Sequence, residues 1–218
     1  MADSESIPFL APVHYFSLAF DCHYLSHEEM EQTKGSLKKK YLLPTTEHLC
    51  EEASFADVYM AWNDMEIAFH IVVHEPCTAV YYPDITYGDS IEIFIDTRDN
   101  KDTGFNHRFC HHFFVLPKAP EEGPQAAEIT RFRTEDSHEW CDSAKLQFQC
   151  KLSSRQYEIF LKIPVDCLHG YDPEESPRLG FTYRINRYND TQQHFCVCSK
   201  EFMIDQQPSL WSSVRLIK

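Results

Sequence analysis

Residues 87–117, YGDSIEIFIDTRDNKDTGFNHRFCHHFFVLP, constrain the fold more than any other stretch of this chain. In residues 90–96, Ile91, Ile93 and Ile95 alternate with Glu92, Phe94 and Asp96, the period of a strand with one buried face. Across a polar, turn-rich loop, residues 108–116 alternate again. His107, Phe109, His111 and Phe113 fall on one side, and Arg108, Cys110, His112 and Phe114 on the other. If the isoleucines and Phe109 turn inward, then Glu92, Arg108, Cys110 and His112 share the outward face. Two neighbouring strands with a polar patch on one face are the expected centre of the molecule.

The rest of the chain reads as more of the same. Of 218 residues, 43% are hydrophobic and 14% aromatic, enough to bury a core, and 12 prolines against 6 glycines favour strands joined by proline-marked turns. A capping-box pattern, Ser26-His-Glu-Glu29, predicts a short helix to about Thr33. A first strand is expected over 12–20. Hairpins are expected at 57–62 with 66–73, turning at Asn63-Asp64, and at 146–152 with 157–163. Residues 127–133, 179–188, 193–198 and 211–217 complete roughly ten short strands with almost no helix, the spacing of an antiparallel β-sandwich or jelly roll. The predicted organisation is an N-terminal, helix-containing extension over residues 1–50 and a sandwich over 51–218. The basic run 38–40 reads as a solvated helix end or loop.

A formal net charge of −14 argues against nonspecific binding to nucleic acid or to an anionic membrane, both of which need a basic surface. No apolar run approaches the ~20 residues of a membrane span. The acidic start, with Asp3 and Glu5, does not resemble a secretory signal. Nine scattered cysteines, an odd number, read as reduced thiols, and the cytoplasm is the expected compartment.

Four segments occur in the order found in family 9 carbohydrate-binding modules, which the chain resembles over about residues 50–218: 57–73, with Trp62-Asn63 before an apolar strand; GDSIEIFID at 88–96; YEIFLKI at 157–163 running on to LGFTYRIN at 179–186; and PSLWSSVRLIK at 208–218. The resemblance implies a β-sandwich that binds sugar on one sheet face without catalysis. It places Tyr87 as an aromatic clamp, Glu92 as a hydroxyl-binding acid, and Arg184 and Asn186 on a strand facing the ligand. In 196–205, Phe202 is the only aromatic available as a second clamp. Cys110 and His112 depart from the polar side chains that such modules use.

Two metal sites are candidates. Asp96, Asp99 and Asp102 with Gly104 have the oxygen-rich composition of a calcium loop, although an Asp/Asn-rich turn explains them as well. His112 and Cys110 offer imidazole and thiolate to zinc, but their spacing matches no closed zinc motif. The acidic cluster Glu135, Asp136, His138 and Glu139 reads as solvated loop. No nucleophile–base pair or carboxylate pair stands out, so the expected function is non-enzymatic binding of a saccharide through Tyr87, Glu92, Arg108, Cys110, His112, Arg184 and Asn186. The alternative is a stand-alone adaptor or structural protein on the same fold that has lost sugar binding.

Overall fold

The structure, a computed structural model, describes residues 18–200 and 202–218. Most of the strand predicted over 12–20 therefore lies outside the described residues. Among them are eleven strands and two short helices. No helix among them is long and apolar enough to cross a membrane.

The larger sheet runs β1 (Ala19–His23), β11 (Ser212–Ile217), β9 (Arg178–Asn186), β4 (Ser90–Asp96), β5 (Cys110–Val115) and β6 (Ala126–Glu128), with β10 (Gln192–His194) also on β9. The smaller runs β2 (Ala56–Trp62), β3 (Glu66–Val73), β8 (Tyr157–Pro164) and β7 (Gln147–Leu152). All pairs are antiparallel except β1 with β11, which is parallel. The two sheets face each other across one apolar core. Ile91, Ile93, Ile95, Phe113 and Phe181 come from one side, and Val58, Met60, Ile67, Phe69 and Ile159 from the other. The alternation expected for residues 90–96 is therefore observed, a β-sandwich follows from it, and the isoleucines are its floor.

The hairpin turn between β2 and β3 forms because the Asn63 Oδ1 accepts from the backbone N–H of Met65 and Glu66, at 2.8 and 3.0 Å. Helix α1 (His27–Gln32) starts at Ser26 with both halves of the capping box present. The segment around α1 covers the outer face of the smaller sheet. There Ala61 and Ala68, cross-strand partners with small side chains, leave room for Met30, Leu37 and Tyr41. Ala19–His23, within the stretch expected as an extension, is an integral strand of the larger sheet.

Gln193 ties the sheets together at one edge. Its Oε1 accepts from Phe55 and Ala56 N–H at 2.7 and 2.8 Å, and its Nε2 donates to Ala56 O and to Tyr183 Oη, both at 3.0 Å. The side chain is buried, so Gln193→Ala strands these groups without water. We expect a loss of about 1–3 kcal/mol, read from the urea midpoint at unchanged m-value.

Candidate functional site

The outward face of the larger sheet carries one closed polar network. Register sets Glu92 opposite Arg184 on β9 and opposite Phe114 on β5, and His112 opposite Phe94. Glu92 is buried, yet its carboxylate accepts four hydrogen bonds. Arg184 Nε and Asn186 Nδ2 donate to Oε1 at 2.6 and 2.7 Å. His112 Nε2 and Arg184 Nη2 lie 2.8 Å from Oε2. Burial disfavours the charge, but the bonds from His112 and Arg184 outweigh it and hold the Glu92 carboxyl far below the usual carboxylate range. Arg184 is correspondingly raised: burial opposes its charge, and Glu92 more than restores it.

Because the carboxylate's four lone-pair sites are all engaged, Glu92 is not the free hydroxyl acceptor of the sequence reading. It positions Arg184, His112 and Asn186. The Phe94 ring stacks on His112 at 4.2 Å. Asn186 also donates to Ser90 Oγ and accepts from Gln192.

Other expected members lie elsewhere. Strand β5 starts at Cys110, so Arg108 precedes it, is exposed, and pairs with Asp136 rather than with Glu92. The expectation that Arg108 shares the outward face with Glu92 is thereby corrected. Phe109, expected in the core, is only half buried and stacks on His169. Cys110 lies beneath an apolar cover, packed with Phe94, Val197, Ile204 and Trp211. Burial, then the Asp96 charge, pushes its thiol well above the ordinary range. The zinc pair Cys110–His112 does not form as a unit: Cys110 clusters with Asp96 and His107, whereas His112 is bonded to Glu92.

The calcium reading fares similarly. Asp96 accepts from Arg98 and Asn100 N–H at 2.9 and 2.6 Å. Asp99 is held by Lys101 and Ser213, each at 2.7 Å, and Asp102 is exposed with its N–H on Asn100. The Asp96 and Asp99 carboxylates are thus spent on separate partners, and the Asp96 and Asp102 contacts are turn chemistry.

Tyr87 lies just ahead of β4 and is 71% exposed. Sequence reasoning missed its companions Tyr81, Tyr82 and Tyr188, all exposed. Tyr81 stacks on Tyr188 at 6.3 Å, and Tyr82 on Phe114 at 5.9 Å, above the rung that carries Glu92. The Gly88-Asp89 pair explains how the loop bearing them is held. A Cβ on Gly88 would stand 2.7 Å from Ala79 O, so only glycine admits that approach. Asp89 accepts from Thr78 and Ala79 N–H at 2.6 and 3.1 Å and pairs with Arg187 at 2.8 Å.

A family model, "Carbohydrate family 9 binding domain-like", matches residues 29–218. The chain belongs to this family. Among curated proteins, none matches it. Two solved structures of a family 9 carbohydrate-binding module from Caldicellulosiruptor kristjanssonii share its fold. The one in complex with cellotriose is 15% identical, with a TM-score of 0.57, over 91% of this chain and 93% of that one. The one in complex with glucose is 17% identical, with a TM-score of 0.54, over 91% and 95%. The family 9 sandwich is thus present here, with the Glu92 charge network on the outer face of its larger sheet.

Proposed function

We propose that this family 9 domain binds a saccharide, without catalysis, at the tyrosine rim beside the Glu92 network. The observation that carries the reading is the set of exposed tyrosines, Tyr81, Tyr87 and Tyr188, flanking the ends of β4 and β9, two residues along from the Glu92–Arg184 rung. Aromatic faces offer a flat apolar surface to a sugar ring, and the hydroxyls of tyrosine bond at its edge. Arg184 spends two of its five N–H groups on Glu92, and its side chain is 12% exposed, which places a donor edge at the surface. The ligands of the two structural relatives, cellotriose and glucose, support the class.

Calorimetric titration with glucose, xylose and cellotriose tests this reading. Saturable heat is expected, weakened about tenfold in Tyr188→Ala, equivalent to about 1.4 kcal/mol of lost stacking. A flat trace with each sugar would overturn it. The second reading, an adaptor that has lost sugar binding, is favoured by the full internal pairing of Glu92 and by the apolar cover of Val197, Ile204 and Trp211 over the neighbouring part of the same face. The flat trace would support that one.

A further inference from the structure

We propose a zinc site on the opposite side of β5, where His111, Glu128 and His138 converge. Their side chains are 1%, 0% and 5% exposed, and one donor atom from each lies within 4.8 Å of the others. His111 faces inward from β5, Glu128 ends β6, and His138 folds back from the following loop.

Donor counting is what calls for a cation. His138 Nδ1 stands 2.7 Å from Arg108 O, an acceptor, so that nitrogen carries the hydrogen. A neutral imidazole has no second N–H. The contact of His138 Nε2 with Glu128 Oε1 at 2.7 Å therefore needs a cation between them, either a second proton on the ring or a metal ion. Oε1 also lies 3.0 Å from His111 Nδ1 and accepts a hydrogen bond from the Thr130 hydroxyl at 2.6 Å. A metal ion there would be bound by both imidazole nitrogens and by Oε1 together. Three converging ligand atoms, rather than two, favour a metal ion over a proton.

The donor set points to the metal. Two imidazoles and a carboxylate are zinc ligands. At zinc–ligand distances of about 2.0–2.1 Å, tetrahedral ligand atoms stand roughly 3.3 Å apart, so the two contacts to Oε1, at 3.0 and 2.7 Å, need to open by only about 0.3–0.6 Å. His111 and His138 also line a pocket of about 400 Å³, together with Cys141, Cys167 and His169, which leaves room for a fourth ligand. Cys141 N–H holds Glu128 Oε2 at 2.8 Å, steadying the carboxylate from behind. The geometry is therefore that of three protein ligands and one position open to an exogenous donor.

The test is titration of the full chain, stripped with chelator, with zinc chloride by calorimetry, and with cobalt(II) by absorbance. One equivalent of zinc and a tetrahedral cobalt spectrum are expected. His138 lies outside every strand, so His138→Ala removes no strand pairing. Loss of outer-sphere partners alone costs ~10–100-fold in metal affinity, so losing this direct ligand is expected to weaken zinc by at least about 100-fold. Cys50→Ala, in a separate Cys50–Glu52–Cys198 cluster, is expected to bind as the unsubstituted protein does. Absence of saturable zinc binding, an octahedral cobalt spectrum, or affinity unchanged in His138→Ala would each overturn the site. If His138→Ala fails to fold, the unsubstituted protein's spectrum still discriminates: tetrahedral d–d bands without thiolate-to-cobalt charge transfer support the site, and strong charge transfer would assign the metal to the Cys50–Glu52–Cys198 cluster and overturn it.

Discussion

Glu92→Gln is expected to lower the unfolding free energy by about 3–5 kcal/mol, the cost of leaving a buried charge without its partner. The substitution keeps the shape of the side chain and removes the negative charge that Arg184 faces at 2.6 Å. It also turns an amide N–H₂ toward donors that had an acceptor. Urea unfolding measures the loss, and a change under about 1 kcal/mol would show that the network is not the electrostatic unit described here. Replacing both partners, in Glu92→Gln with Arg184→Met, is expected to cost less than the sum of the single changes, because the orphaned charge is gone.

The pH dependence follows in sign from the same group. The folded-state Glu92 carboxyl is held below its unfolded value. Its contribution is therefore complete above the ordinary carboxylate range, about 4.3, and is lost as pH falls below that toward the folded value. The urea midpoint of the unsubstituted protein is expected to drop through this acid window. Glu92→Gln is expected to flatten the drop. Parallel acid limbs in the two proteins would contradict the assignment.

Phe181→Ala is expected to cost about 3–5 kcal/mol, the range for emptying a large aromatic from a core. Phe181 stands on β9 in the larger sheet and stacks on Phe69 of the smaller at 5.8 Å, with interplanar angle 9°. Phe20, Phe195 and Tyr183 close around it at 6.0, 5.7 and 6.3 Å. Rings from both sheets enclose it, so the space cannot collapse without moving a sheet. Chemical denaturation gives the magnitude, and Met65→Ala, an exposed position, is expected to stay within about 0.5 kcal/mol. A similar small effect at Phe181 would mean that the two sheets do not share this core.

Alternation in residues 90–96 assigned each side chain to its face, since a strand's period of two is a local property. The outward set Glu92, Arg184 and Asn186 follows from it. The same alternation, carried to Arg108 and Phe109, overran the strand, and both residues lie outside the face to which it assigned them. Strand ends depend on which backbone groups find partners, and that is not written in side-chain periodicity. His138, read as part of a solvated acidic loop, is buried against Glu128 because the loop folds back over β6. The one hint in its composition was a lone histidine and tryptophan in an otherwise acidic stretch.

The sequence by itself determined the sandwich, the hairpins, the cap of the first helix and the inward isoleucines, because each rests on neighbours a few residues apart. Only the tertiary structure decided that Glu92 is saturated rather than open, that four tyrosines gather at one strand end, and that two histidines meet a glutamate under the opposite face. Those outcomes depend on register and burial between segments far apart in the chain. Desolvation there turns a polar pattern into a specific electrostatic arrangement.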